Sequence, residues 1–209
     1  MITRKSYSKL AMRSLLFSVL LLAGTDLAFS ASKHALVIGI NHYKDPTSNT
    51  GANFTVEVSD SAKSGGAGPK NRVGWTNLEG AVNDARVFRQ LLISRYGFEP
   101  KYIRFLTDSK EAASPGDVAT RANILKAIQD LIRAASKDDV VVVYYAGHGS
   151  QMESISPDEA DGKDETLVPA DASAGAPDIR DKELKSLYNQ ILDKGAVLTV
   201  IADSCHSGG

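Results

Sequence analysis

The spacing of apolar and polar positions along the chain predicts strands that alternate with helices. Four short apolar runs are typical of strands: residues 35–40, 102–106, 140–145 and 196–202. Between them, apolar residues recur at helical spacing in 78–95, after the candidate cap Thr120, and from Asp181 onward. This order predicts one α/β domain, with a mainly parallel sheet and helices on both faces. We expect the last run to be a buried strand.

Two segments fall outside this alternation. Residues 1–30 combine a basic start, a nine-residue apolar core and small residues before Ser30, which is typical of a signal peptide cleaved after that serine. The core is too short for a permanent membrane span, so we expect an exported domain at 31–209, periplasmic or secreted. An uncleaved membrane anchor is the alternative. Residues 45–76 are rich in Gly, Ser, Asn and Pro, which predicts a flexible insertion without recognisable chemistry.

Composition narrows the function classes. The formal net charge of -1 gives no indication of a nucleic-acid partner. A single cysteine excludes an internal disulfide, and with only four histidines the chain lacks the classical zinc spacings. A lone cysteine is most often a small buried hydrophobe. Its neighbours therefore decide its interpretation.

Two of the predicted strands end in residues that carry chemistry, Gly147-His148-Gly149 and Asp203-Ser204-Cys205. Because the carboxyl ends of parallel strands share one edge of a sheet, neighbouring strands would place His148 opposite Cys205. An imidazole in reach of a thiol takes its proton and then favours the thiolate. The flanking glycines permit close backbone approach. The N–H groups of Gly149 and Cys205 are then placed to face a developing oxyanion.

The histidines also have structural interpretations. His148 alone fits an ordinary turn histidine. His206 adjoins the cysteine, but it is a poor base for Cys205 because adjacent residues of an extended chain point in opposite directions. His34 and His42 have no supporting context.

The two motifs resemble those of the metacaspase branch of the caspase-like cysteine peptidases. The stretches that carry the resemblance are Tyr144-Tyr145-Ala146-Gly147-His148-Gly149-Ser150-Gln151 and Asp203-Ser204-Cys205-His206-Ser207-Gly208. Further matches in the family's order are residues 35–41, 78–85 and 161–169. His148 and Cys205 lie 57 positions apart, close to the roughly 50 of caspases. The resemblance covers essentially all of the chain after residue 30. It implies a caspase-like three-layer sandwich.

The resemblance also implies roles for individual residues. Cys205 is the nucleophile, His148 is the general base, and the oxyanion hole includes Gly149. Asp84 and Asp203 match acidic residues of the primary specificity pocket, where two carboxylates would pair with an arginine or lysine side chain. The implied reaction is hydrolysis of peptide or protein substrates after a basic residue, through a thioester and without a cofactor in the chemistry. Alternatively, Asp84 is a first-turn helix acid and Asp203 a strand-end cap.

Calcium is the metal that the resemblance implies, with Asp164 and Asp181 at ligand positions. Calcium prefers six to eight oxygen ligands. Lys182 stands where a second aspartate is common in the family, and it would put a positive charge beside the ion. Asp181 is explained equally well as a helix N-cap. The sequence leaves calcium binding open.

The sequence departs from the family pattern by stopping four residues after Cys205. Caspase-like folds resemble a six-stranded sheet split into a large and a small part, and the predicted strands correspond to the large part. We expect the small-subunit portion to be missing. Three interpretations remain open: the chain is a fragment, it pairs with a separately encoded small subunit, or it binds a second copy across the open sheet edge. Two functions follow: a cysteine endopeptidase, or an inactive or incomplete caspase-like interaction module that needs a partner subunit.

Overall fold

The computed structural model describes residues 31–43, 75–154 and 162–205. The predicted signal peptide, nearly all of the predicted insertion, and His206 lie outside these ranges. The strands and helices in chain order are β1 (Lys33–Gly39), α1 (Ala81–Tyr96), β2 (Ile103–Thr107), α2 (Arg121–Ala134), β3 (Val140–Ala146), β4 (Gly149–Glu153), β5 (Lys163–Leu167), β6 (Ile179–Arg180), α3 (Asp181–Leu192) and β7 (Val197–Asp203). In the described ranges, no helix is long and apolar enough to cross a membrane.

Four strands form a parallel sheet in the order β2-β1-β3-β7. The inner strands β1 and β3 are buried on both faces, which explains why their sequences are continuously apolar rather than alternating. Helix α1 packs on one face of the sheet, and α2 and α3 pack on the other. The predicted three-layer α/β architecture is confirmed.

Local sequence signals set the helix ends. Gly97 ends α1 in the left-handed conformation, with a φ of 69°. The Thr120 hydroxyl accepts a hydrogen bond from the Asn123 N–H at 3.2 Å and so caps α2 as predicted. The N-cap of α3 is Arg180, and Asp181 is its first helical residue. The interpretation of Asp181 as an N-cap is therefore wrong.

Strand β7 is not the buried strand that its apolar sequence predicts. It lies at the edge of the sheet beside β3, and Val197 and Val200 are 58% and 46% exposed. Hydropathy alone did not distinguish the two cases, because a continuous apolar run is typical of a buried strand and does not show whether the strand lies inside the sheet or at its edge. The edge position leaves apolar side chains of β7 in contact with solvent.

A second, antiparallel sheet follows β3 where the hydropathy pattern predicts no strand. Its order is β4-β5-β6, and Gly149 at the start of β4 pairs with Leu167 at the end of β5. These strands are short and mostly polar, so the usual β-branched signal is weak. The sheet ties the residues directly after His148 into regular structure.

Gly39, at the end of β1, provides a test of the packing between sheet and helix. A Cβ at this position would lie 2.7 Å from both the Ala81 carbonyl oxygen and the Ala85 Cβ of α1. We expect Gly39→Ala to destabilise the fold by about 1–3 kcal/mol through overpacking, lowering Tm in thermal unfolding by about 3–10 °C. Gly116→Ala is the control, since its nearest neighbour would be 3.7 Å away. Equal Tm values for both variants would contradict this packing.

Candidate active site

The pairing of β3 with β7 brings the two sequence motifs to one edge of the sheet. Ala146 and Asp203 form the last register pair of the two parallel strands. The Gly147 N–H then donates to the Asp203 carbonyl oxygen at 3.3 Å, which continues the ladder past the strand ends. His148 and Cys205 follow this pair at the same step along their strands. The base and nucleophile candidates therefore leave the sheet side by side.

The glycine after His148 lies directly against the cysteine backbone. A Cβ on Gly149 would be 1.8 Å from the Cys205 carbonyl oxygen, far inside any allowed contact. Only a residue without a side chain permits this approach. Cys205 itself is exposed. Its thiol is thus accessible to molecules that enter from solvent.

A backbone carbonyl fixes the tautomer of His148. The Nε2 atom of His148 lies 2.7 Å from the carbonyl oxygen of Thr76. A carbonyl oxygen only accepts hydrogen bonds, so Nε2 carries the proton in the neutral ring. The other ring nitrogen, Nδ1, keeps its lone pair and is the atom that can take a proton from a thiol.

Two aromatic rings lie close to the imidazole of His148, and one of them belongs to the residue before Thr76. The His148 ring centroid is 4.7 Å from that of Tyr43 and 4.9 Å from that of Trp75. Trp75 and Thr76 are the last two residues of the predicted insertion, for which the sequence predicted no chemistry. That prediction is wrong for these two residues. Thr76 acts through its carbonyl, a group that every residue carries, so no side-chain motif could have revealed it.

Both candidate pocket acids, Asp84 and Asp203, act electrostatically on the Tyr144 hydroxyl. The Tyr144 hydroxyl donates to Asp203 Oδ2 at 3.4 Å. Burial, followed by the negative charges of Asp203 and Asp84, raises the pKa of Tyr144 to about 12. Tyr144 also stacks on Phe88 of α1, with ring centroids 4.2 Å apart, which couples the strand to the helix that carries Asp84. Asp84 and Asp203 are both exposed, so their charges are available to a ligand.

The residues at the predicted calcium position do not fit that ion. Asp164 is fully buried, and its Oδ2 accepts from Arg180 Nη1 at 2.6 Å. Its Oδ1 accepts from the Lys182 ammonium, and the hydrogen bonds from Lys182 above all hold the pKa of this carboxyl well below its usual range. Two fixed cations would repel a divalent ion at this carboxylate.

The second predicted ligand does not complete a metal site. Asp181 has one buried carboxylate oxygen, Oδ1, without a hydrogen-bond partner among the described residues. Those residues contain no group of three or more His, Cys, Asp or Glu side chains that could hold a metal. Calcium prefers six to eight oxygens, and among the described residues the Asp181 position offers one unpartnered carboxylate oxygen.

The sequence is similar to proteins of a known family. The family described as "Metacaspase, peptidase C14 domain" matches residues 33–209. Metacaspase-1 of Eremothecium gossypii is 38% identical over 131 residues, which are 63% of this chain and 28% of the relative. Metacaspase-4 of Arabidopsis thaliana is 38% identical over 133 residues, 63% of this chain and 30% of the relative. The chain thus matches less than a third of the length of these curated relatives.

A solved structure agrees with the sequence comparison. A protein from Geobacter sulfurreducens superposes with a TM-score of 0.56 at 27% sequence identity, and the match covers 85% of this chain and 52% of that chain. The family match extends from the start of β1 to the last residue of the chain and includes both motifs at the sheet edge. The chain therefore belongs to the metacaspase family of peptidase C14 domains.

Proposed function

We propose that this domain is a cysteine endopeptidase that hydrolyses peptide bonds after arginine or lysine, with Cys205 and His148 as its dyad. The observation that carries the proposal is the register of β3 with β7, which sends both residues out from the same end of the sheet. The tautomer of His148 supports it as well. With the proton of Nε2 engaged by Thr76, Nδ1 is the basic atom.

The reaction follows from these groups. His148 Nδ1 takes the thiol proton, and the Cys205 sulfur attacks the carbonyl carbon of the peptide bond. The N–H groups of Gly149 and Cys205 stabilise the oxyanion. The imidazolium returns its proton to the leaving amine, the C–N bond breaks, and a thioester remains. Water, deprotonated by His148, attacks the thioester, and the thiol is restored as the acid product leaves.

A basic residue before the cut bond suits the charges beside the dyad. The exposed carboxylates of Asp203 and Asp84 both act on the Tyr144 hydroxyl, so an arginine or lysine that reaches this phenol meets two negative charges. A guanidinium pairs with carboxylates through several hydrogen bonds at once. Tyr144 keeps its proton at neutral pH, because its pKa is raised to about 12. The phenol therefore adds no third charge.

Cleavage of a fluorogenic arginine peptide tests the dyad and the pocket together. We expect Cys205→Ala to lower kcat by about 10³-fold or more, because the nucleophile is lost. Asp203→Asn should lower kcat/KM for the arginine peptide by about 10–100-fold, since a charge partner of the substrate is removed. Asp130→Asn, which alters an exposed carboxylate on α2, is the matched control. Cleavage that survives Cys205→Ala would refute the assignment.

A second candidate function is an incomplete module that needs a partner strand, and the exposed edge of β7 favours it. Val197, Val200 and Ile201 are exposed along this strand. A cavity of about 410 Å³ lies beside them, with Leu184 and Leu198 in its lining. An open apolar edge pairs readily with another strand. We infer that this edge pairs with a small subunit or with a second copy of the chain.

Sedimentation distinguishes these two occupants. If a second copy covers β7, the chain sediments as a concentration-dependent dimer, and Val200→Lys returns it to a monomer. Val87→Lys is the matched control, because Val87 is a comparably exposed valine on α1, at 62% against 46% for Val200. A wild-type chain that stays monomeric at about 100 µM, well above the Kd of stable dimers, would rule out the second copy.

We propose further that the Asp164 and Asp181 carboxylates bind no calcium and that the peptidase chemistry proceeds without it. The Asp164 carboxylate, which the resemblance assigns to the ion, is engaged by Arg180 and Lys182. The buried salt bridges can tie β5 to the start of α3 without a metal.

Thermal unfolding in calcium against EDTA tests this. We expect equal Tm values for the full chain, with magnesium as the control ion. Saturating binding at a hundred times Kd would instead raise Tm by about 5–10 °C, and such a rise would contradict the proposal. Lys182→Asp, which removes the competing ammonium and adds a carboxylate, should lower Tm in EDTA and recover part of it in calcium.

A further inference from the structure

The backbone of His148 is hydrogen-bonded on both sides to buried phenols. Its N–H donates to the Tyr43 hydroxyl oxygen at 2.7 Å, and its carbonyl oxygen accepts from the Tyr145 hydroxyl at 2.8 Å. The same Tyr145 hydroxyl lies 2.8 Å from the Val168 carbonyl oxygen at the end of the second sheet. Tyr43 is 105 positions from His148 in the chain. The Tyr43 bond therefore depends on the tertiary fold, whereas the Tyr145 bond is local, three residues along the chain.

Both phenols are buried and neutral. Tyr43 and Tyr145 are each 1% exposed. Burial raises the pKa of Tyr43 to about 12 and that of Tyr145 well above its ordinary value. Their hydroxyl oxygens lie 3.4 Å apart. Because the Tyr145 proton is directed at two carbonyl oxygens, Tyr43 is the donor between the phenols. The hydrogen bonds to the His148 peptide thus persist through the neutral pH range.

The residue before the histidine is a glycine for a reason of space. A Cβ on Gly147 would lie 2.5 Å from the Tyr43 hydroxyl oxygen and 2.7 Å from the Tyr145 hydroxyl oxygen. The two glycines around His148 therefore serve different contacts. Gly147 makes room for the phenols, and Gly149 makes room for the Cys205 backbone.

We propose that Tyr43 and Tyr145 are positioning residues, which hold the His148 backbone so that Nδ1 meets the Cys205 thiol. The proposal rests on the dyad of the proposed function. Thr76 orients the imidazole ring through Nε2. The phenols, together with the Val168 N–H, which donates to the His148 carbonyl oxygen at 3.0 Å, set where the ring is attached to the chain. If one phenol bond is lost, the ring stays hydrogen-bonded to Thr76 while its backbone shifts. A displacement of about 1 Å in a catalytic group costs on the order of 10²-fold in rate.

Single phenylalanine substitutions test the two phenols separately. We expect Tyr43→Phe and Tyr145→Phe each to lower kcat by about 10–100-fold, with KM for the arginine peptide within about twofold. The substrate pocket around Tyr144 is untouched, which is why KM should hold. Tyr188→Phe, which removes a hydroxyl from the inner face of α3, is the matched control and should leave kcat unchanged. Thermal unfolding of each variant shows whether the domain is still folded.

Alkylation of the Cys205 thiol provides a readout that needs no peptidase activity. The rate of reaction with iodoacetamide is followed against pH, because an imidazole in reach of the thiol sustains the reaction at pH values where an isolated thiol is protonated. We expect His148→Ala to abolish this reaction at low pH, and each tyrosine variant to reduce it. Cys205 is the sole cysteine of the sequence, so the labelling reports one site.

The outcomes test the positioning role of the two phenols separately from the proposed peptidase activity. Folded tyrosine variants with wild-type kcat and a wild-type alkylation profile would overturn the positioning role of the phenols. The positioning role would also be overturned if activity were lost only in proportion to unfolding and were restored at a lower temperature. If the wild-type chain cleaves no arginine peptide, the proposed function fails, yet the alkylation profile still decides whether the phenols align His148 with Cys205. Loss of alkylation at low pH in both Tyr43→Phe and Tyr145→Phe, with Tyr188→Phe unaffected, supports the positioning role.

Discussion

The hydrogen-bonded pairing of β3 with β7 is the constraint on which the candidate site depends. Each strand is followed by one residue of the proposed dyad, so the register of the two strands decides whether His148 and Cys205 meet. A slip of one residue would turn each side chain to the opposite face of the sheet. The register runs from the pair Val140–Val197 to the pair Ala146–Asp203, and beyond it Gly149 lies against the Cys205 backbone. Chemistry at this edge is therefore a property of the whole sheet.

The two halves of the dyad are supported unequally. His148 follows an inner strand and is contacted from two distant parts of the chain, by Thr76 and Tyr43, and locally by Tyr145. Cys205 follows an edge strand whose outer side chains are exposed. A strand added beside β7 would support the nucleophile without altering the surroundings of the base. This asymmetry links the two proposed functions, because the reactivity of the Cys205 thiol would then depend on whether a partner strand is bound beside β7.

Much of the fold was predictable because strands and helices bury continuous or periodic apolar residues. The inner strands β1 and β3, the Thr120 cap and the Gly97 terminus all follow from local signals. The edge position of β7 did not, since its apolar side chains resemble those of an inner strand. The second sheet was missed because its short strands carry polar residues such as Thr166 and Asp164, buried through hydrogen bonds and ion pairs rather than through hydropathy.

The placement of the dyad at one edge followed from strand-end motifs, but its surroundings did not. The orienting group of His148 is a backbone oxygen 72 positions away, which has no signature in a sequence. Trp75, beside that oxygen, has a further consequence. It is the one tryptophan of the chain, and its ring lies 4.9 Å from the imidazole. A positive charge this close to an indole acts on the electrons of the ring, so the fluorescence of Trp75 offers an optical readout of the charge on His148.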